Sequence, residues 1–134
     1  FFFKQKTAYE IRNCDWSSDV CSSDLDRKVD IARIANATAK LLECDLELSP
    51  SDILSSDEYI GDRYGVLTQE GRDALKLVAE TEGIFLDPVY TSKAMAGMID
   101  QIRKGIIRKN ETVVFIHTGG LPALFAYAED LMLS

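Results

Sequence analysis

Two short stretches hold the side chains best suited to chemistry. One is Asp87-Pro88-Val89-Tyr90-Thr91-Ser92, which ends the apolar run Ile84-Phe85-Leu86. The other is His117-Thr118-Gly119-Gly120, which follows TVVFI at Thr112 to Ile116. A phenol such as Tyr90 exchanges a proton or a hydrogen bond with a bound molecule, and Tyr64, in a second loop, supplies another. Glycines after a strand let backbone approach a ligand, and the helix that follows offers free N–H groups. Each feature also has a plainer reading. Strand-to-helix glycines serve as turn formers, and two loop tyrosines are unremarkable by themselves. His117, the sole histidine, stands at a strand end, where a structural hydrogen bond is the first expectation and a general base the second. Asp87 precedes a proline and is expected to cap a turn. Cys44 is expected to end a helix and pack. The chain has no P-loop, no GxGxxG, no HExxH and no second metal ligand beside His117.

The elements that must carry these loops follow from periodicity. Lys28 to Glu43 is expected to be an amphipathic helix with Ile31, Ile34, Ala35, Thr38, Leu41 and Leu42 on its stripe. A short strand is expected near Ile53, and a loop with two glycines over Tyr59 to Leu67. Thr68 suits an N-cap and Gly83 a C-terminal stop for a helix through Ala74, Leu75, Leu77 and Val78. Ile84 to Leu86 reads as a short buried strand. Ser92 to Lys104 reads as a helix with Met95, Met98, Ile99 and Ile102 inward and Gly105 as its stop. TVVFI reads as a strand buried on both faces, and Leu121 to Met132 as one apolar helix with Pro122 in its first turn. Buried strands alternating with helices imply an α/β layer with a parallel sheet, whose ligands sit beyond the carboxyl ends of the strands. That geometry picks out the same two loops.

The first 25 residues stand apart. FFFKQKTAYEIRNCDWSSDVCSSDL, Phe1 to Leu25, looks like a sequencing-library adapter translated in one frame. Cys14 onward back-translates to the read-primer part, and Lys4 to Ile11 to the flow-cell end. On this reading residues 1–25 are not native and the domain comprises residues 26–134. Cys14, Cys21 and Trp16 then leave the argument, and only Cys44 remains. The full chain has net charge −7; without the segment, 12 basic and 18 acidic residues give −6. Such an acidic balance speaks against nucleic acid as a partner. No apolar run approaches the roughly 20 residues of a membrane span. One cysteine suits a reducing compartment or no use of disulfides, and a cytoplasmic location is expected. The abrupt start at Asp26, inside a helical pattern, suggests a C-terminal fragment.

The same loops carry a family resemblance. YGVLTQEGRDALKLVAETEGIFLDPVYTSKAMAGMID, Tyr64 to Asp100, and VVFIHTGGLPALFAY, Val113 to Tyr127, resemble the C-terminal end of D-cysteine desulfhydrases and of the related 1-aminocyclopropane-1-carboxylate deaminases. Both belong to the tryptophan-synthase-β-like group of pyridoxal-phosphate enzymes (fold type II). The resemblance implies a two-domain α/β fold with pyridoxal 5′-phosphate between the domains, a small amino-acid substrate and a homodimeric parent. It implies that Tyr64 and Tyr90 face the substrate. It also implies that Thr118 meets the pyridine nitrogen, with Gly119 and Gly120 lining that wall and Thr91 beside it.

Two positions bear on the branch. The deaminases carry glutamate after the DPVY tyrosine and read HLGG, whereas Thr91 and Thr118 stand here, as in the desulfhydrases. A carboxylate at the pyridine nitrogen makes the ring a stronger electron sink, and a neutral hydroxyl leaves it weaker, enough for loss of a β-thiol. The implied activity of the parent is conversion of D-cysteine to pyruvate, hydrogen sulfide and ammonia. Ser92 departs from the family's usual glycine. The family's Schiff-base lysine and phosphate loop lie in the preceding two-thirds of its fold. Lys93 matches a helix-start lysine instead, so the fragment itself is expected to be inactive. A deaminase and a non-catalytic α/β binding domain stand as the alternatives.

Overall fold

A computed structural model describes the backbone of residues 2–4, 7–11 and 24–132 and the side chains of residues 28–132. Cys14, Trp16 and Cys21 lie outside the described residues. The elements run β1 (Phe2–Lys4), β2 (Thr7–Ile11), α1 (Asp24–Leu41), a 3-10 turn (Pro50–Asp52), β3 (Ile53–Ser56), α2 (Gln69–Glu82), α3 (Thr91–Arg103), β4 (Val114–Phe115), α4 (Ala123–Ala126) and α5 (Ala128–Met132).

The four strands form one sheet in the order β3-β2-β1-β4. Its pairing is mixed where a parallel sheet was expected. β2 runs parallel to β3, with Ala8 opposite Ile53, but β1 is antiparallel to both β2 and β4. Only two residues separate β1 from β2. A link that short closes a hairpin, whereas parallel neighbours need a crossover of a dozen residues or more. Both strands belong to the adapter-like segment, and they stand between β3 and β4.

The core lies between α2 and α3, which pack on each other more extensively than any other helix pair. Ala74, Leu75 and Val78 from α2, Leu86, and Met95 and Ala96 from α3 form its buried cluster. Met98, Ile99, Phe115, Leu124 and Leu131 close over it. Burial of one such Leu or Met side chain stabilises the fold by about 1.5–3 kcal/mol. The caps of α2 are those expected. Thr68 Oγ1 accepts from Gly71 N–H at 3.1 Å, and Gly83 ends the helix in the left-handed region with φ +67°. Gly71 itself permits the packing. A Cβ there would lie 3.3 Å from Ser92 Oγ and 3.4 Å from Lys93 Cγ, so the first turns of α2 and α3 meet where α2 has no side chain.

Several expectations are corrected. Residues 84–86 form no strand; they lead into the Asp87 loop, with Leu86 buried but Ile84 and Phe85 half exposed. TVVFI pairs only through Val114 and Phe115. It is the sheet's edge, so Val114 is exposed rather than buried on both faces. The last helix breaks at Tyr127, whose dihedrals (φ −105°, ψ 14°) leave the helical region, giving α4 and α5; Pro122 caps α4. On α1 the buried positions are Ala32 and Ala39, while Ile34, Leu41 and Leu42 are exposed. That helix packs mainly on β3 and the 3-10 turn, and its Asn36 side chain bonds both Leu48 O and Leu48 N–H at 2.8 Å. Ile102 faces out on α3. Cys44 does follow the end of α1, but it is exposed and unpacked, because Glu43 turns the chain outward at φ +54°.

Candidate functional site

The site is built on the loop between Leu86 and α3. Asp87 is buried, and its carboxylate accepts N–H bonds from Val89 (2.8 Å), Tyr90 (2.8 Å) and Thr91 (2.7 Å). Thr91 Oγ1 donates to Asp87 Oδ1 at 2.7 Å and accepts from Asp87 N–H at 2.7 Å. The carboxylate thus satisfies the free donors of the first turn of α3 and suits the positive end of its dipole. Fixing the backbone of residues 89–91 fixes where Tyr90 projects.

Tyr90 meets Tyr64. Their phenol oxygens lie 2.9 Å apart and their rings are tilted at 48° with centroids 6.1 Å apart. Tyr64 is 57% exposed and Tyr90 is half-buried, so the hydrogen-bonded pair opens to solvent on the side of Tyr64. Three ties hold the Tyr64 loop in place. Tyr59 donates its phenol hydrogen to Asp100 Oδ2, Lys93 Nζ donates to Ile60 O at 2.7 Å, and Tyr127 donates its phenol hydrogen to Gly65 O.

The HTGG loop packs on the same support. A Cβ on Gly120 would lie 2.7 Å from Asp87 Cβ and 2.8 Å from its Cγ, and Gly120 has φ +87°. Close approach and left-handed backbone both require glycine here. Gly119, at φ +100°, has nothing within 4 Å of an added Cβ and faces open space. His117 fastens the loop. Its Nδ1 accepts from Gly119 N–H at 3.0 Å, which leaves Nε2 protonated to donate to Phe85 O at 2.9 Å. The structural reading of His117 therefore holds: both nitrogens are occupied with backbone. Its ring also stands edge-on to Phe115.

The two loops singled out by pattern are thus joined through Gly120 against Asp87 and through His117 to Phe85. Thr118 is exposed on the joined surface. Thr91, expected on the cofactor wall, is 3% exposed instead. Its hydroxyl is turned into the Asp87 cap, because the buried carboxylate and the Asp87 N–H together use it in both directions. Of the expected site residues, Tyr64 and Thr118 are exposed and Tyr90 and Gly119 partly so. Lys93 and Tyr127 escape sequence reasoning as supports. A lysine signals surface, and no spacing links Tyr127 to a carbonyl 62 residues earlier. Burial pushes the Lys93 ammonium below its usual pKa, and the nearby Asp87 charge works against that shift.

The site's charged rim lies at the C-terminal half of α3. Asp100 accepts from Lys104 (2.6 Å) and from Tyr59, and both bonds hold its carboxyl below the usual range. Burial raises the Tyr59 phenol above its usual value, helped by the hydrogen bond to Asp100 and by its charge.

The family model for pyridoxal-phosphate dependent enzymes matches residues 13–119. Among solved structures, the crystal structure of an ACC deaminase homologue is similar to this chain at 35% sequence identity and a TM-score of 0.61. The alignment covers 83% of this chain and 32% of that one, so the chain spans about a third of the length of that relative. Over most of its length the chain belongs to the family of pyridoxal-phosphate dependent enzymes.

Proposed function

We propose that this chain is the C-terminal part of a pyridoxal-phosphate dependent lyase of the D-cysteine desulfhydrase type, with residues 26–134 as its native portion. The carrying observation is the phenol pair of Tyr64 and Tyr90, solvent-open on one side and braced on the Asp87 loop. The residues present fit one wall of a cofactor site. Gly119 leaves open space for a flat ring, Thr118 offers an exposed hydroxyl, and the buried carboxylate of Asp87 is consumed by backbone rather than presented to the ligand. Lys93, the lysine that follows the Tyr90 loop, is buried against Ile60 O and is not presented for covalent attachment. This supports the reading that the attaching lysine belongs to another part of the whole protein and that the present chain is inactive alone.

When bound, pyridoxal phosphate supplies the electron sink for amino-acid chemistry at Cα and Cβ. The chain's own part is positioning and proton handling. Thr118 hydroxyl would donate to the pyridine nitrogen as a neutral group. Tyr90, oriented through its own N–H bond to Asp87, would face the substrate, and its phenol can pass a hydrogen bond to Tyr64 without a change in charge. A departing thiolate needs a proton, and a phenol of this pair, more acidic than the Thr118 hydroxyl, would be the source. The substrate would be a small amino acid, D-cysteine in the first instance, and the whole enzyme a cytoplasmic homodimer.

The test begins at the DNA. Resequencing across the codon for Asp26 should replace the adapter-like codons with an upstream frame that encodes a cofactor-binding lysine. The whole protein should then release pyruvate and sulfide from D-cysteine faster than ammonia from 1-aminocyclopropane-1-carboxylate. Thr118→Leu should shift that preference toward the cyclopropane, with Thr91 left in place because its hydroxyl is held in the Asp87 cap. A faster cyclopropane reaction in the unsubstituted enzyme would overturn the desulfhydrase assignment in favour of the deaminase.

A further inference from the structure

Lys93 is the least expected buried group in the molecule. It is 1% exposed, and among the described residues its ammonium has a single hydrogen-bond acceptor, Ile60 O at 2.7 Å. An ammonium in such a place costs free energy unless its setting compensates, so its retention there calls for a structural return. Two glycines make the room. A Cβ on Gly61 would lie 3.6 Å from Lys93 Nζ and 2.6 Å from Thr68 Cγ2, and a Cβ on Gly71 would lie 3.4 Å from Lys93 Cγ. The stem therefore runs between α2 and the 57–67 loop, and its head ends under the loop's backbone.

That loop has little to hold it by itself. Its internal backbone bonds are Ile60 N–H to Asp57 O and Val66 N–H to Arg63 O, both longer than 3.2 Å, and Gly61 and Gly65 both lie at positive φ. Tyr64 sits in this loop and Tyr90 three residues before Lys93, so one side chain spans from the helix that carries one phenol to the segment that carries the other. Tyr127 on Gly65 O and Tyr59 on Asp100 are the outer ties, and Lys93 is the buried one between them.

We infer that Lys93 is a positioning residue, a buried latch that holds the Tyr64 loop against the start of α3 so that the Tyr64 and Tyr90 phenols meet. The inference deepens the proposed function but is tested without ligand or turnover. Failure of the enzymatic assignment would leave it standing, and its own failure would leave the assignment standing.

The experiment is hydrogen exchange on the whole protein that carries residues 26–134, comparing the unsubstituted protein with Lys93→Met, which keeps the stem and removes the donor. Loss of a hydrogen bond from a charged donor should speed exchange in residues 57–67 by about tenfold or more. Exchange in α2 should stay unchanged, and the Tyr64 13Cζ resonance should shift as its bond to Tyr90 loosens. Equal acceleration in α2, or an unmoved Tyr64 resonance, would overturn the role. If Lys93→Met does not fold, limiting acetic anhydride on the unsubstituted chain decides. A closed latch leaves Lys93 unmodified while exposed Lys76 and Lys109 react, and Lys93 reacting at their rate would overturn it.

Discussion

Asp87 occupies the volume that a side chain on Gly120 would need, with Asp87 Cβ 2.7 Å from the Cβ position on that glycine. This contact seats the HTGG loop on the same carboxylate that aims Tyr90, so the two loops share one support. Gly120→Ala must therefore both adopt a left-handed backbone and displace a buried, four-bonded carboxylate. The cost should be about 3 kcal/mol or more. Gly119→Ala, with open space around it, should cost only about 1–2 kcal/mol for its backbone. Urea denaturation of both variants at constant m-value measures the difference, and equal costs would refute the seam.

Thr91 supplies a second check on that support. Thr91→Val preserves the shape but strips Asp87 of one donor and leaves the Asp87 N–H without its acceptor. We expect a loss of about 1–3 kcal/mol. A neutral outcome would mean that the hydroxyl is free to serve a ligand instead.

Alkaline stability should rise and then fall. Burial lowers the Lys93 pKa from its usual 10.5, so the unfolded chain binds more protons above the lowered value, and folding becomes more favourable as pH rises toward 10. Above about 10 the sign reverses. The Tyr59 phenol is raised from 10.0 and Lys104 from 10.5 by its bond to Asp100, so the folded chain holds more protons there. Melting temperatures across that range should rise and then fall, and Lys93→Met should abolish the rising limb.

Acid stability rests in part on Asp100 and Asp52. The Lys104 bond, followed by the Tyr59 bond, lowers the first, and Ser49 side-chain and backbone donors lower the second, each from 3.8. Their contribution is present above that value and is lost as pH falls through the lowered ones. Asp100→Asn should raise the midpoint of acid unfolding, whereas substitution of an unpaired surface carboxylate should not.

Much of this arrangement was legible from residue order. Thr68 and Gly83 delimit α2 because capping is a local matter, decided within one turn. Asp-Pro before a tyrosine announced a capped turn, and strand-adjacent glycines announced a close approach, so both loops of the site could be named. The Ile84 to Leu86 strand, the buried character of TVVFI and the parallel sheet could not be decided that way. A strand exists only through its partner, and its burial depends on whether it lies at an edge.

The sequence by itself determined α2 with its caps and picked out the two loops, because each depends on contacts a few residues apart. Only the tertiary structure decided which side chains do the holding. Tyr64 reaches Tyr90 across 26 residues, Lys93 reaches Ile60 across 33 and Tyr127 reaches Gly65 across 62. No local propensity encodes those distances. It also turned Thr91 inward, because a buried carboxylate beside it needs donors more than the surface needs a hydroxyl.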